Sequence, residues 1–341
     1  MQIQQRINAI VQLGEVLSEV HSENKNPEIS QLYQLVHAHN GWFTKENIDF
    51  SCKNWSEALT QQNVEQWLSS YELEAPSHKK TVAIVMAGNI PLVGFHDFIS
   101  VLLSGHKVLA KLSSNDKLLL PYLVKRLCEI EPEFEGFISF SEERLTGFDA
   151  VIATGSNNTA RYFDHYFGKY PNIIRRNRNS VAILDGTETE AQLMALANDI
   201  FRYYGLGCRN VSKVYLPKDY KFDPFFQAMF SWKHVINEHK YINNYDYNKA
   251  VYLMSLLDIL DNEFLLLKED QGFSSPISVV FYEYYENMTD LKAKLRAAED
   301  QIQCVVSHTG MPNEISFGQA QTPHLWDYAD GVDTMDFLQK L

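Results

Sequence analysis

The chain has 341 residues, of which 45% are apolar and 21% are charged, and its formal net charge is −13. This composition is typical of a globular protein and excludes a disordered, collagen-like or coiled-coil chain. The acidic balance disfavours binding of the whole molecule to nucleic acid or to an anionic membrane, so an anionic ligand needs a local site. The widely spaced cysteines predict neither a zinc ribbon nor a disulfide framework: Cys52, Cys128, Cys208 and Cys304.

The N-terminal residues contain no basic stretch followed by an apolar run, and no window approaches about 18 uninterrupted apolar residues. We therefore expect no signal peptide and no membrane span. Scattered thiols fit a reducing compartment, and together these observations predict a cytoplasmic location.

Residues 1–75 are predicted to be helical because apolar side chains recur at helical spacing, as at Ile3, Ile7 and Ile10. From Thr81 onwards, short apolar runs alternate with helical patterns, which indicates parallel βαβ units with helices on both faces of a sheet. The predicted strands are 81–87, 108–112, 137–140, 150–154, 181–184, 213–216, 277–281 and 303–307, and the helices include 92–103, 117–129, 159–167 and 188–204.

Two strand-to-helix junctions, at 86–91 and 153–158, are candidate ligand sites. Ligands of open α/β sheets bind beyond the carboxyl ends of strands, where glycines allow close approach and Ser156 can cap a helix or bond a phosphate. Neither junction matches the GxGxxG or GxxxxGK[ST] fingerprint. The Gly-Ser-Asn sequence is also ordinary turn and capping chemistry, so a purely structural role stays open.

The segment 203–210 places a thiol directly after two glycines. Gly205 and Gly207 allow the backbone to expose Cys208 and to present amides to an oxyanion, while Arg209 can help to keep the sulfur as a thiolate. The alternative interpretation is that Cys208 is a small core residue, which is the usual role of a lone cysteine.

Residues 175–178, Arg-Arg-Asn-Arg, form the strongest basic cluster of the chain. It is either a solvated turn or an anion site, and nucleic acid is excluded because no aromatic stacking platform or extended basic stripe accompanies it. No spacing of histidines, cysteines or carboxylates predicts a metal site.

The succession of these segments, from Thr81 to the C-terminus, resembles the aldehyde dehydrogenase superfamily. It is most similar to the LuxC-like acyl-CoA reductases, which reduce activated fatty acyl groups to aldehydes with NADPH. The resemblance implies an α/β fold with two α/β domains and mainly parallel sheets. The predicted organisation is a helical N-terminal segment (1–75), a Rossmann-like NAD(P)-binding domain (76–185), a catalytic domain with the thiol (186–310) and a C-terminal segment that returns to the cofactor domain (311–341).

The resemblance also implies roles for individual residues. Asn89, in Gly-Asn-Ile-Pro, matches the superfamily asparagine that binds the oxyanion, and Cys208 matches the catalytic thiol. Ser114 stands where the family has a ribose-binding glutamate, and the missing carboxylate favours NADPH, with NADH also possible. The segment Tyr328–Thr334 is similar to the end of the reductase family. The residues implied in cofactor binding are Lys111 and Ser114 at the adenosine ribose, Thr154, Gly155 and Ser156 at the pyrophosphate, and Glu269 or Asp270 at the nicotinamide ribose.

Oxidising members of the superfamily carry a general-base glutamate shortly before the thiol segment, whereas the corresponding residues here, 176–180, include no carboxylate. Hydrolysis of an acyl-enzyme requires a base that activates water, but exchange with a thiol does not. We therefore predict reduction of an acyl thioester, donated by acyl-CoA or by an acylated carrier or partner protein, in a homo-oligomer. The predicted substrate-binding residues are Arg176, Arg178 and Arg209.

Two alternatives remain at this stage. One is a thiol-based acyl carrier or transferase without reductase activity, and the other is an acyl-phosphate reductase on the same fold.

Overall fold

The computed structural model describes residues 1–22, 26–73 and 78–341. They form two compact units: the first unit comprises 1–177 and 324–341, and the second unit comprises 178–323. The predicted boundary at 75/76 lies outside the described residues. No helix within the described ranges is long and apolar enough to cross a membrane.

From residue 81 onwards, helices lie between many of the strands, as predicted. The helices are α1 (Ile3–Ser22), α2 (Pro27–His39), α3 (Lys45–Ala58), α4 (Gln61–Leu68), α5 (Phe95–Leu103), α6 (Leu119–Ile130), α7 (Asn157–Phe167), α8 (Glu190–Phe201), α9 (Phe222–Met229), α10 (His239–Met254), α11 (Met288–Ala297) and α12 (Thr334–Gln339). The strands are β1 (Thr81–Val85), β2 (Lys107–Lys111), β3 (Ile138–Phe140), β4 (Ala150–Thr154), β5 (Asn172–Arg175), β6 (Asn179–Ile183), β7 (Val211–Pro217), β8 (Ile259–Asp261), β9 (Leu266–Glu269), β10 (Val279–Tyr285) and β11 (Ile302–Val306). Short 3-10 helices occupy Pro132–Gly136, Arg202–Gly205, Phe230–Asn237, Glu299–Gln301 and Ala329–Gly331. The sequence analysis did not predict β5, β8 or β9.

The sheet of the first unit has five parallel strands in the order β3-β2-β1-β4-β5. Its central strands β1 and β4 are buried through most of their length, which explains their continuous apolar runs. The chain fills one side of β1 with β2 and β3 and then returns to the other side with β4 and β5. The strand order therefore reverses between β1 and β4, which is the position at which open α/β sheets bind ligands.

The N-terminal helices belong to the core of this same unit. Ile10, Leu13 and Leu17 of α1 are fully buried and share one apolar cluster with Val82 and Ile84 of β1. The helical spacing seen in the sequence therefore marks the face of α1 that is buried in this core.

The C-terminal residues 324–341 complete the first unit, whereas 311–323 belong to the second. The Tyr328 hydroxyl accepts a hydrogen bond from Trp67 Nε1 at 2.6 Å and lies 2.7 Å from the Tyr71 hydroxyl. Tyr71 in turn donates to Asp333 Oδ2 at 2.7 Å. These contacts anchor the Tyr328–Thr334 segment beside α4.

The sheet of the second unit has six strands in the order β11-β6-β7-β10-β9-β8, and only the β8–β9 pair is antiparallel. The predicted domain boundary at 185/186 would assign β6 to the cofactor domain. The strand instead forms its ladders with β7 and β11, so the second unit begins at Arg178. The apolar run 181–184 could not reveal this, because a buried strand has the same pattern in either sheet.

Candidate active site

The carboxyl ends of β1, β2 and β4 meet in one row of the first sheet. Val85 pairs with Lys111 on one side and with Ala153 on the other. The loops that follow these strands carry Asn89, Ser114 and the Gly-Ser turn, so the topology brings together the predicted cofactor residues of this unit.

The loop after β1 is closely packed against the loop after β2. A Cβ at Gly88 would lie 2.5 Å from Ser113 Oγ, so only glycine fits at that position. Asn89 is half-buried, and Leu92 adopts a left-handed conformation with φ 58°. The Leu92 amide donates to Asp116 Oδ2 at 3.4 Å, and burial raises the pKa of Asp116 to about 6. Asn89 therefore lies on a loop with little freedom to move.

Lys111 and Ser114 lie at the end of β2. Lys111 Nζ donates to the Glu143 carbonyl at 2.9 Å, which orients the amine on the loop after β3. Ser114 is exposed, and its carbonyl accepts a hydrogen bond from the His39 ring nitrogen Nε2. Both residues are accessible at the carboxyl edge of the sheet.

The turn at Thr154–Ser156 begins α7. Ser156 is the N-cap and accepts from the Thr159 amide at 3.3 Å, while its hydroxyl lies 2.9 Å from Thr159 Oγ1. A Cβ at Gly155 would contact Phe163 and Thr159 at 3.0 Å. The first turn of α7 has no acidic side chain, so the positive end of the helix dipole is not neutralised from within the helix.

The basic cluster divides into three different environments. Arg175 is buried, forms an ion pair with Asp97 and donates to Thr334 Oγ1 at 3.0 Å. Arg176 is exposed and pairs with Asp164 at 2.8 Å. Arg178 belongs to the second unit and donates to the Glu299 and Ile302 carbonyls at 3.1 and 3.3 Å. The clustering in sequence is therefore not a single cationic patch, and the substrate roles of Arg176 and Arg178 stay predictions.

The Cys208 side chain is exposed, so the alternative of a buried core cysteine is wrong. It follows a chain reversal in which Tyr203, Tyr204 and Gly205 all have left-handed φ values of 54°, 58° and 77°. Such conformations are costly for tyrosine, and both rings are buried, which holds them in place. Backbone strain at this turn thus coincides with exposure of the thiol.

Asn210 is the residue that organises the thiol turn. Its Oδ1 accepts from the Gly207 amide at 2.8 Å, and its Nδ2 donates to the Arg202 carbonyl at 2.7 Å. The same amide nitrogen also reaches the Asp199 and Ile200 carbonyls at the end of α8. The buried Asn210 side chain therefore donates to backbone carbonyls at the end of α8 and fixes the backbone on both sides of Cys208.

A buried carboxylate lies behind the same turn. Asp199 accepts from the Gly318 amide at 2.6 Å and the Ala320 amide at 3.0 Å, and burial raises its pKa to about 7. Arg209 donates through Nε to the Ala320 carbonyl. Arg209 is thereby directed towards the segment 318–320, and its predicted role towards substrate stays a prediction.

Glu269 and Asp270 differ in their surroundings. Glu269 is the last residue of β9 and is exposed. Asp270 pairs with Lys268 and accepts from the Gly272 amide at 2.8 Å, and the hydrogen bond from Lys268 lowers its pKa. Asp270 is thus engaged in its own turn.

The second unit also contains a group of three potential metal ligands that the sequence analysis missed: Asp185, Glu188 and His308. The Thr189 amide donates to Gln192 Oε1 at 2.9 Å, which directs Gln192 Nε2 as a donor to His308 Nδ1 at 3.0 Å. His308 Nε2 then carries a proton and donates to Asp185 at 3.2 Å. In this tautomer the ring has no lone pair left for a cation, so we assign the group as a hydrogen-bonded cluster.

The model of the acyl-CoA reductase (LuxC) family matches residues 58–229, which are 172 of the 341 residues. The chain belongs to the LuxC family. A curated relative, "long-chain acyl-protein thioester reductase 2" of Photobacterium leiognathi, is 22% identical over 182 residues, which cover 49% of this chain and 38% of the relative. The long-chain acyl-protein thioester reductase of Aliivibrio fischeri is also 22% identical, over 45% of this chain and 35% of its own length. The chain thus matches little more than a third of the length of these relatives.

The solved structures to which this LuxC-family chain is similar include aldehyde dehydrogenases. One is the indole-3-acetaldehyde dehydrogenase AldA of P. syringae, which was solved with NAD+ and IAA. Its superposition on this chain has a TM-score of 0.65 at 13% identity and covers 91% of this chain and 73% of AldA. Aldehyde dehydrogenase 21 from Physcomitrella patens gives a TM-score of 0.64 at 13% identity, over 92% and 74% of the two chains. At this identity the likeness establishes the fold, and it confirms the predicted aldehyde-dehydrogenase-like α/β class.

Proposed function

We propose that this protein reduces an acyl thioester to the aldehyde with NADPH, through an acyl group bound to Cys208. The observation that carries the proposal is the exposed thiol on a turn whose backbone is fixed by Asn210 and by left-handed Tyr203 and Tyr204. A rigid turn that presents a nucleophile to solvent is what covalent catalysis requires. Membership of the LuxC family and the names of the curated relatives support the same reaction class.

The carboxyl edge of the first sheet fits a nicotinamide nucleotide. A side chain at Gly155 would be in tight contact with Phe163 and Thr159, and Ser156 begins a helix of 11 residues whose first turn carries no acid. These features suit a pyrophosphate at a helix N-terminus. We assign Lys111 and Ser114 to the adenosine ribose and Thr154, Gly155 and Ser156 to the pyrophosphate. Related folds were solved with NAD+, which supports a cofactor of this class.

At the nicotinamide ribose we assign Glu269 in preference to Asp270. The Asp270 carboxylate is already bonded to Lys268 and to the Gly272 amide, whereas Glu269 is exposed at the end of β9. A bound nicotinamide cofactor supplies the hydride that converts an acyl group to an aldehyde.

In the acylation step, the Cys208 sulfur attacks the thioester carbonyl carbon and forms a new carbon–sulfur bond. The carbonyl oxygen becomes an oxyanion, for which Asn89 is the proposed side-chain donor. The bond to the departing thiol then breaks, and the proton lost by Cys208 goes to that thiol. Cys208 holds the acyl group until the aldehyde leaves, when the thiolate returns.

The residues before the thiol segment favour thioester chemistry over aldehyde oxidation. The stretch 176–180 has no carboxylate, and in it Arg178 donates to backbone carbonyls while Ser180 Oγ donates to the Cys208 carbonyl at 3.0 Å. A side chain that could activate water for hydrolysis of the acyl-enzyme is therefore absent from this stretch. The acyl donor is an acyl-CoA or an acylated protein, with Arg176, Arg178 and Arg209 as candidates for its anionic groups.

The test is to follow nicotinamide absorbance in a mixture of the protein, NADPH and a panel of acyl-CoA esters, with recovery of the aldehyde. The Cys208→Ala variant is expected to lose the reaction and the acyl adduct seen in intact mass, while Cys128→Ala, which changes a half-buried thiol of the first unit, retains both. An acyl adduct that persists in Cys208→Ala would place the nucleophile elsewhere. Acylation without binding of NADPH would favour an acyl carrier or transferase, and activity on acyl phosphates alone would favour an acyl-phosphate reductase.

A further inference from the structure

The N-terminal helical segment contacts both loops of the proposed cofactor site. Asn40, the C-cap of α2, is buried, and its Nδ2 donates to the Asn115 carbonyl at 3.3 Å and lies 3.5 Å from the Gly88 carbonyl. Ser51 of α3 donates to the Pro91 carbonyl at 3.0 Å. The end of α2 is thereby fixed against the ends of β1 and β2.

His39, the last residue of α2, is placed at the adenosine-ribose position by the same junction. Its Nε2 hydrogen-bonds the Ser114 carbonyl, and because a carbonyl only accepts, Nε2 is the protonated nitrogen. Both the imidazole and Ser114 are exposed. Because Nε2 is used in this bond, Nδ1 is the ring nitrogen available to a ligand.

The loop 113–116, which carries Ser114, has no carboxylate that is exposed to solvent. Asp116 is the acidic residue of this loop, but its Oδ1 is inaccessible to solvent and its Oδ2 accepts the Leu92 amide. The remaining side chains of the loop are Ser113, Ser114 and Asn115, which are uncharged. A phosphate bound by this loop would therefore meet an imidazole and hydroxyl groups, while the exposed Glu142 and Glu143 belong to the neighbouring loop after β3.

We propose that His39 is a specificity-determining residue that binds the 2′-phosphate of NADPH. The inference rests on the proposed cofactor site and adds to it a residue from the N-terminal helical segment. The imidazole lies beside the residue assigned to the adenosine ribose, on which NADPH carries the phosphate and NADH a hydroxyl. An exposed cation–phosphate pair contributes about a fivefold preference for the phosphorylated ligand.

The experiment measures binding by calorimetry, with no turnover. The probes are 2′-phospho-ADP-ribose and ADP-ribose, which differ only in the phosphate. In His39→Gln, the affinity for the phosphorylated probe is expected to fall about fivefold while that for ADP-ribose changes less than twofold. His39→Lys is expected to keep the preference, because lysine supplies a cation at the same position. His37→Gln is the matched control. His37 is also exposed on α2, but it lies two positions before His39 and therefore faces a different side of the helix.

Equal loss of affinity for both probes in His39→Gln would overturn the proposal, because it would show that His39 only holds the Ser114 loop. Unchanged affinities would overturn it as well. If wild-type protein bound neither probe, the proposed function itself would fail at the cofactor site. Thermal denaturation of each variant separates these results from a loss of the fold.

Discussion

The buried ion pair between Asp97 and Arg175 allows a quantitative prediction about the first unit. Their side chains are 6% and 7% exposed, and Arg175 also donates to Thr334 at 3.0 Å. Removal of one partner leaves an uncompensated charge in the interior, which destabilises a protein by about 3–5 kcal/mol. The bond to Thr334 survives in Asp97→Ala, so we expect a loss near the lower value, about 3 kcal/mol.

The double variant Asp97→Ala/Arg175→Met removes both charges and keeps an apolar side chain in the space of the arginine. It is expected to lie within about 1–2 kcal/mol of the wild type, because replacement of a whole buried pair by apolar groups is often near neutral. The two single losses would then be strongly non-additive.

Urea denaturation followed by tryptophan fluorescence provides the assay. Four of the five tryptophans belong to the first unit (Trp42, Trp55, Trp67 and Trp326), and Trp232→Phe removes the one in the second unit. Lys340→Met, which breaks an exposed pair with Asp336, is the control and is expected to change stability by less than about 1 kcal/mol. A loss below 1 kcal/mol in Asp97→Ala, or a double variant as unstable as the sum of the single variants, would refute the reasoning.

Three further predictions concern the loops and the thiol turn. Gly88→Ala places a methyl group 2.5 Å from Ser113 Oγ, so the melting temperature and the affinity for NADPH are both expected to fall; unchanged binding would mean that the loop relaxes freely. Gly205→Ala forces alanine into a φ of 77° and should cost about 1 kcal/mol and slow acylation of Cys208 on the same turn, whereas Gly136→Ala, where nothing lies within 4 Å, should do neither. Burial raises the pKa of Asp199 to about 7, so the folded chain keeps a proton that the unfolded chain releases near pH 4. The contribution of this group to the free energy of unfolding should therefore fall as pH rises from about 4 to 7, by about 1.4 kcal/mol per pKa unit, and this slope should disappear in Asp199→Asn.

The positions of most strands were predictable because they depend on local patterns. Buried parallel strands are short continuous apolar runs, and those at 81–87 and 150–154 contain the two central strands of the first sheet. The segment 264–267 is also apolar, but such a short run does not distinguish strand from helix, and β9 was missed there. Exposure of Cys208 agrees with the glycines around it.

The supporting contacts of the site could not be predicted from the sequence. Asn40 lies 75 residues from Asn115, and Asp97 lies 78 residues from Arg175, and nothing in their local sequences indicates these partners. The basic cluster 175–178 was misleading as a unit for the same reason, since Arg175 is buried by residues of α5 and α12. The role of Asn210 was easier to predict, because this residue lies two positions after the thiol and asparagine commonly forms hydrogen bonds with nearby backbone in turns.

The first unit is interrupted in the chain, since residues 178–323 separate its larger part from the segment 324–341. During synthesis, the second unit can therefore fold as a continuous stretch while the first still lacks Tyr328, Asp333 and Thr334. Until those residues leave the ribosome, Arg175 and Asp97 remain without their third partner and the tyrosine pair beside α4 is incomplete. The core of the first unit is thus completed only after the whole second unit has been synthesised.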